Sequence, residues 1–207
     1  GNHADYNGGA INNWHTLTVN SSTFENNSAG KGGAIWNFGT STFSNSTFSG
    51  NTANDGGSIM TSGTLIVNNS TFANNQATNY GGAIYNGGTL NVNGSAFEVN
   101  TATKWGGAIY SAQDLTVSNC TFIGNNAANG GAIYKYKGNL TVNSSTFTYN
   151  TASYGGAIYN TGNLNISGSN FTNNNANSSS GGAIWNQGPL TVNGSTFANN
   201  LAHEDGG

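Results

Sequence analysis

Apolar and polar residues alternate along this chain in short runs that recur at nearly fixed intervals. In LTVNSSTF (140–147) and LTVNGSTF (190–197), Leu and Val stand two apart with Thr between them. That period of two is the mark of a half-buried strand. From Val to the following Phe is five residues, an odd step, so a bend must intervene if both face one core. A second short strand is predicted at AIYN or AIWN, and the Gly-Gly pair before it marks a turn. No apolar stripe of helical period survives across a repeat, so only strands and turns are predicted.

The repeat sets the architecture. The first Gly of each pair falls at Gly8, Gly32, Gly56, Gly81, Gly106, Gly130, Gly155, Gly181 and Gly206, a period of 24 to 26 residues. A second signature, Phe-x-x-Asn-x-Ala, is interleaved with the first. Its asparagines are Asn27, Asn51, Asn75, Asn100, Asn125, Asn150, Asn174 and Asn200. A propeller blade needs roughly 40–50 residues, whereas a unit of this length with two or three short strands fits one coil of a solenoid. The expected fold is all-β: a right-handed parallel β-helix of about eight coils, about 25 residues each, with residues 1–207 as one domain. Stacked about 4.8 Å apart, the coils make a rod of about 40 Å. The invariant asparagines are expected to form a structural ladder at a turn, bonding the turn backbone and their copies in neighbouring coils.

With GGAI and Phe-x-x-Asn alternating through all eight units, the sequence resembles the repeats of chlamydial polymorphic outer-membrane proteins. It is similar as well to adhesin-like surface proteins of methanogenic archaea, which carry the same paired signatures. The resemblance implies a surface-exposed, extracellular parallel β-helix that acts in adhesion. It does not extend to a β-barrel translocator or an anchor within these residues.

Composition narrows the choice of function. Charged residues are 5% of the chain and the net charge is −3, so there is no basic footprint for nucleic acid or anionic lipid. No apolar run reaches the roughly 18 residues of a membrane span, so no membrane insertion by this segment is expected. Many parallel β-helices act on polysaccharides, and such sites need clustered carboxylates. Of Asp5, Glu25, Asp55, Glu98, Asp114, Glu204 and Asp205, only the last two are neighbours in sequence, and no shared column brings others close. No enzyme is expected. His3, His15 and His203 are scattered and the single cysteine, Cys120, stands in a column of serines, so neither metal nor cofactor is expected.

Two kinds of surface residue remain as candidates. If the Ile of GGAI points inward, alternation sends Trp36, Tyr85, Tyr110, Tyr134, Tyr159 and Trp185 outward as an aromatic stripe. Such a stripe is either a binding surface for glycans or surface proteins of a neighbouring or host cell, or a stack that stabilises the coils. Sequons occur at Asn20, Asn45, Asn69, Asn93, Asn119, Asn143, Asn170, Asn177 and Asn193, the candidate glycosylation positions. Residues 2–9 and 200–207 match in register, which suits either a window of a longer array or copies stacked head to tail. The expected function is therefore a non-enzymatic adhesive stalk or shaft, with a self-assembling filament subunit as the alternative.

Overall fold

The computed structural model describes residues 1–207, folded entirely into strands, bridges and turns. Each repeat winds through one turn of a β-solenoid. A central coil shows the scheme: strands Gln76–Tyr80, Ile84–Asn86, Leu90–Asn93 and Ala96–Glu98 follow one another around the rod. All coils but one have four strands rather than the two or three expected; the coil that begins at Asn125 has three. The additional strand begins just after the invariant Asn, where the chain stays extended long enough to pair with its copies.

Pairing is parallel and strictly between equivalent residues of successive coils. Ile84 lies opposite Ile59 and Ile109, Leu90 opposite Leu65 and Leu115, and Phe97 opposite Phe72 and Phe122. Three of the resulting sheets have eight strands each. The fourth is divided into sheets of five and three strands, joined by isolated bridges such as Thr101↔Asn126 and Asn126↔Thr151.

The interior is filled by the columns that the alternation marks. Ile, Leu, Val and Phe from all faces merge into one core of 31 buried residues. The Phe column, from Phe24 to Phe197, stacks at centroid spacings of 4.6–5.0 Å with planes within 5° of parallel. That spacing is the distance between paired strands, so the backbone ladder imposes face-to-face stacking on rings that otherwise favour offset or edge-on contact. One coil departs from the consensus and compensates within itself. Ser41 stands in the Leu column and Phe43 in the Val column, so volume lost at one position is restored two residues later.

The required bend between Val and Phe is a single residue in the left-handed region. Asn69 has φ 47°, Gly94 59° and Asn119 53° at equivalent places. Asn and Gly tolerate that conformation better than other residues, which explains their prevalence there.

Candidate functional site

The invariant asparagines lie inside the rod, where they form a continuous ladder. Both the backbone N–H and the side-chain Nδ2 of Asn75 donate to Oδ1 of Asn100, at 3.1 and 2.9 Å. The same Nδ2 donates to the carbonyl of Phe48 at 3.0 Å. The pattern repeats from Asn27 to Asn200. Every amide is thereby occupied by coil-to-coil bonds, and none faces a ligand.

A serine column runs beside it on the same principle. The backbone N–H of Ser46 donates to Ser70 Oγ at 3.1 Å, and Ser46 Oγ donates to the Ser44 carbonyl at 2.8 Å. Cys120 takes the place of a serine: Ser95 N–H reaches Sγ at 3.5 Å and Sγ donates to the Ser118 carbonyl at 3.0 Å. Burial pushes its thiol up and keeps it protonated, so Cys120 is a structural residue.

Sequence reasoning missed a second ladder, although its signal is there in the last letter of GGAIxN. Asn13 Nδ2 donates to Asn37 Oδ1 at 2.6 Å, and Asn160 Nδ2 donates to Asn186 Oδ1 at 2.7 Å and to the Gly162 carbonyl at 2.6 Å. Lys135 interrupts this column, fully buried, with its ammonium turned to the carbonyls of Gln113 and Lys137. Asn160 Oδ1, which an asparagine one coil below would serve, is left buried without a partner. Burial pushes the Lys135 ammonium down to about 8, with Asp114 opposing weakly.

Lys135→Asn is therefore expected to raise stability by about 1–3 kcal/mol at neutral pH, because it removes a buried charge and satisfies Asn160. Between pH 8 and 10.5 the unfolded lysine holds a proton that the folded one lacks, so the wild type gains stability over this window as pH rises. The advantage of the variant should shrink accordingly. Comparing the two proteins at each pH cancels the opposing alkaline contributions of Cys120 and the buried tyrosines. Urea melts of both from pH 7 to 10.5 check it; an advantage that does not depend on pH would refute the charge-burial account.

The aromatic column does face away from the core, with Ile inside, but it is not an open stripe. Trp36, Tyr110 and Tyr134 are only 9%, 7% and 6% exposed, and Tyr85, Tyr159 and Trp185 are half-buried. Tyr85, Tyr110, Tyr134, Tyr159 and Trp185 stack on one another at 4.3–5.6 Å. Aromatic residues just before three of the Gly pairs, Tyr80, Trp105 and Tyr154, pack against them. Tyr80 lies 5.4 Å from Tyr110, and Trp105 lies 4.8 Å from Tyr134. The Gly-Gly corner is tight enough to bring side chains on both of its sides together. This corrects the expectation of exposed rings: alternation gives direction, but only the corner geometry shows what covers them.

The sequon asparagines, in contrast, lie on the surface. Asn20, Asn45, Asn69, Asn93, Asn119, Asn170, Asn177 and Asn193 are exposed, and Asn143 is half-buried. Several are stacked on adjacent coils and bond each other, as Asn45 Nδ2 does to Asn20 Oδ1 at 3.2 Å and Asn119 Nδ2 to Asn93 Oδ1 at 3.0 Å. Among the titratable groups the one ion pair is His3 with Asp5, at 3.2 Å. No three His, Cys, Asp or Glu side chains converge in a metal-binding arrangement. The acids are not all dispersed, however: Asp5 and Asp55 line the same cleft.

Compared with known proteins, the chain matches the Chlamydia polymorphic membrane protein repeat six times, at residues 21–37, 45–62, 69–87, 94–112, 119–135 and 144–161. No curated protein and no solved structure matches it. Each matched segment runs from the bend before Phe, through the Asn ladder and across the Gly-Gly corner to the strand that follows. These segments cover just over half of the residues, so the chain belongs to the Chlamydia polymorphic membrane protein repeat family.

Proposed function

We propose that this chain is a non-enzymatic, surface-associated shaft of the adhesin type, a rigid rod that holds recognition surfaces away from the cell. The observation that carries this reading is the family repeat running through residues 21–161 of a solenoid whose interior columns are consumed by structural ladders. Phe stacks, Asn and Ser ladders and parallel pairing lock each coil to its neighbours, which suits load-bearing and extension. The exposed sequon column and the low charge suit an extracellular setting.

Antibodies raised against residues 1–207 are expected to label intact cells of the source organism, and the label should disappear after protease shaving. Labelling that requires permeabilisation would sink the proposal. A second reading, a filament subunit stacked head to tail, draws on the residue-for-residue parallel register between successive coils, the kind of pairing by which one copy would continue another. Sedimentation of the purified chain distinguishes the two: concentration-dependent polymers favour the filament, a monomer the shaft.

A further inference from the structure

A second bend follows each Phe, and it too is made by one residue in the left-handed region. Asn or Gly stands there at Asn26, Gly50, Asn74, Gly124, Asn173 and Asn199. The exceptions are Val99, at φ 54°, and Tyr149, at φ 56°. A β-branched or bulky side chain is an outlier in this conformation and is strained where Asn and Gly are not. Nothing inside the rod offsets that strain. Val99 is 55% exposed and Tyr149 63%. The backbone bond is the one an asparagine makes as well: Asn74 N–H donates to the Glu98 carbonyl at 3.0 Å, and Val99 N–H to the Ile123 carbonyl at 2.9 Å. Strain held at an exposed position without internal compensation has its reason outside the chain.

The two outliers belong to one patch on the central coils. Phe97, Phe122 and Phe147 lie opposite one another, so Val99, Gly124 and Tyr149, two residues on in each coil, follow one another along the rod. A Cβ added to Gly124 would meet only Val99 Cγ2, at 3.7 Å, so a notch opens between the short Val99 side chain and the projecting Tyr149 ring. Ile123, also exposed, borders the notch. The eight-stranded sheet that carries this patch has only two charged side chains, Glu25 and Glu98.

A face that offers both a knob and a notch can receive a copy of itself, which is the condition for a two-fold contact. Two orientations lay the patch on its copy. With the rods parallel, ring meets ring at one end and Val99 meets Val99 at the other, so the faces cannot seat level; Glu98 also comes against Glu98. With the rods antiparallel about the Gly124 coil, each Tyr149 meets the other copy's Val99, tall against short at both ends. Ile123 then meets Ile123, and Glu98 meets Thr148. Like charges placed opposite one another are destabilising, so charge selects the same orientation as shape. We propose that this patch pairs with the same patch of a second copy lying antiparallel. The setting rests on the surface reading: rods fixed to one cell point the same way, so the antiparallel partner is displayed by a facing cell. The sheet presents roughly 500 Å², from strands about 4.8 Å apart and about 13 Å long with the bend. Stable complexes bury roughly 800 Å² on each partner, so single pairs separate readily and arrays of tethered rods hold together.

The test concentrates the chain of residues 1–207 to about 1 mM, the level that tethering supplies, and adds a short bismaleimide cross-linker. Cysteines are placed beside the patch, by Asn74→Cys in one chain and Asn173→Cys in another, while the native Cys120 is buried. The antiparallel contact sets these two positions opposite one another and keeps each far from its own copy. Mixed cross-linked dimer several-fold above either self-linked product is the expected result. Returning the usual bend residue, by Val99→Asn together with Tyr149→Asn in both chains, should remove the mixed product and raise the melting temperature, because the strain is relieved. A mixed product that survives the double substitution overturns the proposal, as does self-linked product equal to the mixed one. No mixed product, whether chains stay single or join end to end, overturns it as well. A lower melting temperature in the double variant would assign the two side chains to the fold and overturn it too. Absence of surface labelling with the cross-link intact would instead remove the surface reading and leave the contact standing.

Discussion

Gly107→Ala is expected to disrupt the central coils, costing about 4 kcal/mol or more, at the upper end of single-substitution effects. The second Gly of each pair lies beneath the backbone of the next coil. A Cβ on Gly107 would collide with the carbonyl oxygen of Gly131 and lie 2.6 Å from both the nitrogen and the oxygen of Asn126. These are backbone atoms in a paired ladder, so none can turn aside as a side-chain end would. Gly194→Ala is the contrast. Gly194 has φ 54° and a Cβ added there would meet nothing within 4 Å, so only the left-handed conformation is penalised, about 1–2 kcal/mol. Urea denaturation of the two variants should separate them by several-fold in lost stability. Because coils stabilise only their neighbours, hydrogen exchange in Gly107→Ala should accelerate first around residues 101–131. Equal, small losses in both variants would refute the close-approach account.

Asn100→Ala is expected to cost about 3 kcal/mol or more, above the value of an average hydrogen bond. Asn100 Oδ1 accepts from the Asn75 N–H and from Asn75 Nδ2, and its own Nδ2 donates to the Phe72 carbonyl at 2.9 Å and to Asn125 Oδ1 at 3.0 Å. Alanine removes all four bonds and strands backbone and side-chain groups in a place closed to water, at about 1–3 kcal/mol for each buried group left unmet. Asn200→Ala should cost much less, because Asn200 is half-buried in the last coil and water can take over its bonds. Thermal melts of both variants decide the matter; equal shifts would mean that burial is not what gives the ladder its worth.

Much of the rod was legible because each coil repeats the same instruction. A column of Phe, Ile or Asn recurring every 24 to 26 residues can pack only against its own copies, so within-chain periodicity fixed pairing register as well as core identity. The odd step from Val to Phe required a bend, and Asn69, Gly94 and Asn119 supply it. The second ladder was equally readable at Asn13, Asn37, Asn86, Asn160 and Asn186, but Thr61, Ser111 and Lys135 break its regularity. Tyr80, Trp105 and Tyr154 before the Gly pairs carry a visible signal too, yet sequence spacing does not reveal that a Gly-Gly corner folds them over the rings that follow.

The sequence by itself determined the coil, its period, its inward faces and the family, since each follows from local alternation and from the need of identical units to bury their apolar faces together. Tertiary structure alone decided which outward groups meet solvent. Exposure depends on what neighbouring coils place beside a residue. So the Tyr110 and Tyr134 rings became structural, and Asp5 and Asp55, two coils apart, came to share a cleft.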